Sequence, residues 1–121
     1  MKLMIVDDSS IMRRAIQKYL SPLNLELVAT ATNGQEALDQ FQTTLPDLVT
    51  LDITMPQMDG LTCLSRLLAL KPSVKVIVIS ALSDPGTGLK ALKLGAKSFL
   101  PKPFTETQLV DEIRRVAGGP P

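Results

Sequence analysis

The sequence predicts an α/β domain, an open doubly wound sheet of five parallel strands crossed over by five helices. Three observations carry that expectation. Short aliphatic or β-branched runs alternate along the chain with longer stretches of helical periodicity. The runs at 47–51 (DLVTL) and 74–79 (VKVIVI) lack polar alternation, the pattern of parallel strands covered on both faces. The chain has 121 residues, 45% of them hydrophobic, enough for one well-filled core and too few for a second domain.

Each element has a local reason. Strands are expected at 2–6, 25–31, 47–51, 74–79 and 97–100. Ser9 or Ser10 can cap a first helix whose apolar face runs Ile11, Met12, Ala15, Ile16, Tyr19 and Leu20, with Pro22 just past its end. Asn33 and Gly34 open the second, with Ala37, Leu38 and Phe41 inward. The third follows Asp59 and Gly60, presents Leu61, Leu64, Leu67 and Leu68, and stops near Pro72. In the stretch Ser83 to Gly88 the two glycines cost about 1 kcal/mol each if helical, so the fourth helix is expected to start loosely, or after a longer loop. Thr105 can cap the fifth, which carries Leu109, Val110, Ile113 and Val116. Gly118, Gly119, Pro120 and Pro121 read as a tail or the start of a linker, leaving 1–117 as the domain.

Composition narrows the chemistry. Lys and Arg number 13 against 12 Asp and Glu, without a basic cluster dense enough to follow a phosphate backbone, so nucleic acid is not an expected partner. A single cysteine, Cys63, excludes an intramolecular disulfide, and the lack of histidine excludes the usual transition-metal sites and Ser-His-Asp catalysis. No export signal is recognisable, and every apolar run falls far short of the ~20 residues that cross a bilayer, so the expected location is the cytoplasm, away from membranes.

The chemistry that remains sits at strand ends. Asp7 and Asp8 close the first apolar run, Asp52 closes the third, Ser80 ends the fourth, and Lys102 follows the fifth. In an open α/β sheet ligands bind outside the carboxyl ends of the strands, which gathers these residues at one edge. Singly, each has an ordinary role: Asp-Asp as a turn and cap, Lys102 as a surface lysine. Together they make an acidic pocket facing one cation. Crowded carboxylates raise one another's pKa unless a cation relieves them, and Mg²⁺ suits hard oxygen ligands plus a phosphate oxygen. Lys102 adds a charge and Ser80 a hydroxyl for phosphate oxygens. Asp52 is then the candidate nucleophile, since a carboxylate can attack phosphorus and carry an acyl phosphate.

The residues IVDDS (5–9), LVTLDITMPQMDG (48–60), VISA (78–81), Ala91 to Ala96 and FLPKPF (99–104) resemble the receiver domains of two-component response regulators, most nearly single-domain chemotaxis regulators of the CheY type. The resemblance spans residues 2–117. It implies a flavodoxin-like strand order 2-1-3-4-5, with Asp52 as phosphoacceptor. It further implies that Asp8 binds Mg²⁺ directly, Asp7 mostly through water, and the backbone carbonyl of Thr54 as a further ligand. Lys102 would pair with the phosphoryl group, Ser80 would bond one of its oxygens, Ala81 would leave room for it, and Phe99 would be the switch aromatic. A cis Lys102–Pro103 bond belongs to the same pattern, as do Pro56 and Gly60 in the loop after Asp52. Phe99 stands where some relatives have tyrosine.

The implied function is a signalling module that takes a phosphoryl group from a sensor histidine kinase and changes its affinity for a target, with a flagellar motor switch the leading candidate. It would catalyse only its own phosphotransfer and dephosphorylation. An alternative is a receiver cut from a longer regulator with a DNA-binding or enzymatic output domain. An aspartyl-nucleophile Mg²⁺ phosphohydrolase ranks lower, because such enzymes usually carry a second acid two residues after the nucleophile and Thr54 is there. A flavin carrier ranks lower still, since the acidic loop Asp7 to Ser10 would repel a flavin phosphate. The expected state is a monomer, with dimerisation through the fourth and fifth helices left open.

Overall fold

The computed structural model describes residues 1–54, 59–81 and 85–118. Its strands are β1 (Lys2–Val6), β2 (Glu26–Ala31), β3 (Leu48–Asp52), β4 (Lys75–Ala81) and β5 (Ser98–Lys102). Its helices are α1 (Ser10–Leu20), α2 (Gly34–Thr44), α3 (Gly60–Leu70), α4 (Pro85–Leu94) and α5 (Glu106–Gly118). All strands pair in parallel in the order β2-β1-β3-β4-β5, as the resemblance implied. The register sets Val6 beside Leu51, Asp52 beside Ile79, Ser80 beside Pro101 and Ala81 beside Lys102.

Successive residues of a strand face opposite sides, and both sides of this sheet are covered. Met4, Val6, Val49, Leu51, Val76 and Val78 pack under α2, α3 and α4 against Phe41, Leu64, Leu67 and Ala91. Leu3, Ile5, Leu48, Ile77, Ile79 and Leu100 pack under α1 and α5 against Ile16, Leu20, Leu109 and Ile113. This two-sided burial is why β3 and β4 read as continuous apolar runs.

The expected caps are in place. The Ser9 hydroxyl accepts from the Met12 amide at 3.2 Å, and Asn33 Oδ1 accepts from the Glu36 amide at 2.8 Å. Thr105 and Gln108 cap each other reciprocally at the start of α5, at 3.1 and 2.8 Å. A Cβ at Gly60 would come within 2.4 Å of Ile53 Cα, so only glycine lets α3 start against the end of β3. At the opposite end of the sheet, α2 closes on Leu45 in the left-handed region (φ 46). Lys71 Nζ holds that turn by donating to Leu45 O, Pro46 O and Asp47 Oδ1.

Three expectations change. Ile11, placed on the inward face of α1, is 79% exposed, because that face runs Met12, Ile16 and Leu20 and Ile11 lies about 100° round from it. Gly118 is the last residue of α5 rather than the first of a tail. Helix α4 begins at Pro85, where a missing N–H is harmless, and takes Gly86 and Gly88 into its first turn in place of a longer loop. Ser83 and Asp84, Pro56, and residues 119–121 lie outside the described residues. Gly88 has its own reason to be glycine: a Cβ there would lie 2.7 Å from the Phe99 ring.

Candidate functional site

Strands β3, β4 and β5 run one or two residues further than the apolar runs suggested, so Asp52, Ser80 and Lys102 are strand residues held by the ladder itself. Asp7 continues β1 through its amide, which donates to Ala31 O at 3.0 Å. Its carboxylate folds back so that Oδ1 accepts from the Ser9 amide at 2.9 Å, and Arg13 Nη1 donates to its carbonyl at 2.7 Å. Asp52 Oδ1 accepts from both the amide and the hydroxyl of Thr54, at 2.9 and 2.6 Å. Lys102 Nζ lies between the two aspartates, 3.2 Å from Asp52 Oδ2 and 3.4 Å from Asp7 Oδ2. The Lys102–Pro103 bond is cis, as the resemblance implied.

Asp7, Asp8 and Asp52 each bring one carboxylate oxygen within 4.8 Å of the others. Asp7 and Asp52 are buried and Asp8 is exposed, so the cluster opens to solvent on the Asp8 side. Burial pushes the Asp7 carboxyl above its usual range, the Asp52 charge adds to that, and the Ser9 amide and Lys102 pull against it. Burial alone would lower Lys102, but the charges of Asp52 and Asp7 outweigh it and hold the ammonium above its ordinary value. Three carboxylates against one ammonium leave two negative charges when all are ionised, the complement of a divalent cation.

Two buried polar atoms here have no hydrogen-bond partner among the described residues: Asp7 Oδ2 and Ser80 Oγ. Asp7 Oδ2 is close to Lys102 as an ion pair without hydrogen-bond geometry. Buried groups of this kind ordinarily find a partner, so their presence at one sheet edge suits an oxygen-seeking cation and an anionic ligand. The donor set, all carboxylate oxygen without sulfur or nitrogen, fits Mg²⁺ rather than zinc or copper.

Of the site residues expected from sequence, the structure brings Asp7, Asp8, Asp52 and Lys102 together. Ser80 ends the same edge, buried beside Pro101. Phe99 stands two residues before Pro101 on that face, beside Val78, partly buried under α4. Thr54 enters through its amide and hydroxyl. The hydroxyl and Arg13 were not expected from sequence; a threonine two residues after a strand-ending aspartate is the signal that could have found the first.

A family model of the response regulator receiver domain matches residues 3–114. The chain belongs to this family. It is similar to chemotaxis protein CheY of Listeria monocytogenes, 44% identical over 117 residues that cover 97% of this chain and 98% of that protein. It is 48% identical over 104 residues to protein-glutamate methylesterase/protein-glutamine glutaminase 3 of Rhodospirillum rubrum, covering 84% of this chain and 28% of that protein. The solved CheX–CheY–BeF3–Mg²⁺ complex from Borrelia burgdorferi superposes with a TM-score of 0.90 at 34% identity, covering 96% of this chain and 88% of that one. This receiver is therefore a domain of two-component signalling. Among the described residues no helix is long and apolar enough to cross a membrane.

Proposed function

We propose that this receiver is a phosphoacceptor switch modified on Asp52. The observation that carries the reading is the position of Lys102, whose ammonium bridges Asp52 and Asp7 in a cluster left with two uncompensated negative charges. Asp8, Asp7, Asp52 and the Thr54 carbonyl would hold Mg²⁺, which when bound neutralises charge on the transferring phosphoryl group. Asp52 supplies the attacking oxygen. Its pairing with Ile79 of β4, one residue past the Leu51–Val6 pair with β1, fixes the carboxylate, so positioning contributes most of what the protein does. Lys102 exchanges part of its hold on Asp52 for the arriving phosphoryl oxygens. Ser80, buried and without a hydrogen-bond partner among the described residues, donates its hydroxyl to one of them.

That last contact is the proposed start of the response. Ser80 and Phe99 lie on one face of neighbouring strands, beneath α4, so a shift of Ser80 toward the phosphoryl group frees space for the Phe99 ring and alters the α4–β5 surface. The phosphodonor is a phosphohistidine on a sensor kinase, and the setting is the cytoplasm. Full-length similarity to chemotaxis proteins supports a flagellar motor switch as target. The R. rubrum methylesterase, of which the matched stretch is about a quarter, supports the second reading: this domain as the receiver of a longer regulator.

The test is incubation with acetyl phosphate and Mg²⁺ followed by intact mass. Wild type should gain one phosphoryl group and Asp52→Asn none. No gain by wild type, or equal gain by Asp52→Asn, would refute the assignment, and steady phosphate release from unrelated phosphomonoesters would favour a hydrolase.

A further inference from the structure

Of the carboxylates in the cluster, Asp8 is the one without support of its own. Asp7 Oδ1 accepts from the Ser9 amide, Asp52 Oδ1 accepts from Thr54, and both residues are buried. The Asp8 carboxylate is exposed and makes no hydrogen bond or ion pair among the described residues. Its direction is therefore set by the backbone that carries it. The peptide unit joining Asp7 to Asp8 is planar, so its carbonyl oxygen and the Asp8 Cα turn together. That oxygen, Asp7 O, accepts a charge-assisted bond from Arg13 Nη1 at 2.7 Å, while the Asp7 amide is tied to Ala31 O at 3.0 Å. Resting on the reading of the cluster as a Mg²⁺ site, we infer that Arg13 is a positioning residue for the metal, holding the Asp7–Asp8 peptide plane so that the Asp8 carboxylate points at Asp7 and Asp52.

Arg13 is itself well anchored. Its amide donates to Ser9 O at 3.0 Å, Ser9 caps the same helix through the Met12 amide, and Ile16 and Leu20 seat that helix on the sheet. The guanidinium thus reaches back from a rigid element to the loop that precedes it. Its charge acts in the opposite direction, because a cation beside a cation site repels the metal. Removing Arg13 would tighten metal binding if charge alone counted and weaken it if aim counts more. Contacts that orient a metal ligand from behind are typically worth 10–100-fold in affinity, so aim should win. Mg²⁺ demands near-octahedral oxygen ligands at short distance, whereas Ca²⁺ accepts irregular ones, so a loosely aimed Asp8 costs Mg²⁺ more than Ca²⁺.

The test is calorimetric titration of wild type, Arg13→Met, Asp8→Asn and the double variant with Mg²⁺ and with Ca²⁺, carried to concentrations that saturate the weakest form. Methionine keeps the helix propensity and the apolar stem while removing donor and charge. Arg13→Met is expected to bind Mg²⁺ about ten-fold more weakly than wild type and Ca²⁺ less than about three-fold more weakly. In the Asp8→Asn background the same substitution should change Mg²⁺ affinity by less than about two-fold. Mg²⁺ binding by Arg13→Met as tight as wild type or tighter, equal losses for the two cations, or an undiminished loss without Asp8 each overturns the inference and leaves the metal site standing. Should Arg13→Met not fold, Arg13→Lys, which keeps the charge on a shorter stem, takes its place with the same outcomes. A wild type that binds neither cation removes the metal site and the inference together.

Discussion

Replacing Asp7 by asparagine should make the metal-free protein more stable, although it removes a site residue. Asp7 is buried, and its oxygen lies within 4.8 Å of those on Asp52 and Asp8. At an effective dielectric of about 20, two unit charges at that distance repel by about 3.5 kcal/mol. The same arithmetic gives about 5 kcal/mol of attraction to Lys102 at 3.4 Å, reduced because that ammonium is a quarter exposed. Repulsion from Asp52, the screened repulsion from Asp8, and the several kcal/mol needed to bury a carboxylate together exceed that attraction. The upward shift of the Asp7 carboxyl has the same sign. The net gain for Asp7→Asn is on the order of 2 kcal/mol at neutral pH, or about 8 °C in Tm for a chain of 121 residues.

Because the folded pKa of Asp7 is raised above the ordinary value of an aspartate, its favourable contribution is complete below that ordinary value and is lost as pH rises through the folded pKa. The stability gap between variant and wild type should therefore open as pH climbs from acid to neutral. Mg²⁺ at about a hundred times its dissociation constant adds ~2.7 kcal/mol to any form that binds it, so wild type should rise in Tm with Mg²⁺ and Asp7→Asn should rise less. Thermal unfolding followed by circular dichroism, in chelator and in Mg²⁺ across pH, measures all three. A lower Tm for Asp7→Asn than for wild type in chelator at neutral pH would refute the electrostatic reasoning.

Thr50 lies in β3 between Ile5 and Ile77, fully buried, its hydroxyl without a hydrogen-bond partner among the described residues. Thr50→Val should stabilise by about 1 kcal/mol and raise Tm by about 4 °C, whereas a fall would point to a partner for that hydroxyl. The two glycines of α4 should respond with opposite signs in denaturant titrations. Gly86→Ala meets no atom within 4 Å and should stabilise by about 0.5–1 kcal/mol, while Gly88→Ala strikes Phe99 and should destabilise by about 1–3 kcal/mol, less when Phe99 is also alanine.

What could be read from the sequence was whatever depends on near neighbours. Ser9, Asn33 and Thr105 cap helices through groups three residues away, and the strand runs declare themselves by composition. The site residues were legible because a parallel sheet sends every strand end to one edge. Ile11 misled because a first helical turn can be apolar without facing the core. Gly88 looked like a helix weakness, since its cause, the Phe99 ring, lies eleven residues on in the following strand. The state of Thr50, whose hydroxyl has no partner among the described residues, is likewise a property of tertiary neighbours that no local pattern encodes.

The placement of Lys102 at the end of the last strand also bears on how the chain folds. Pairing of β1 with β3 brings the three aspartates together, yet their cation arrives only when β5 docks on β4. A partly folded form with β5 detached would hold the acidic cluster bare, and mutual repulsion would raise its energy relative to the complete sheet. Electrostatics at the site thereby penalises an intermediate lacking the carboxy-terminal fifth and makes folding of the sheet more nearly all-or-none. Binding of a divalent cation by such a form would blunt that penalty, so Mg²⁺ should make the folding transition less cooperative even as it raises the stability of the finished domain.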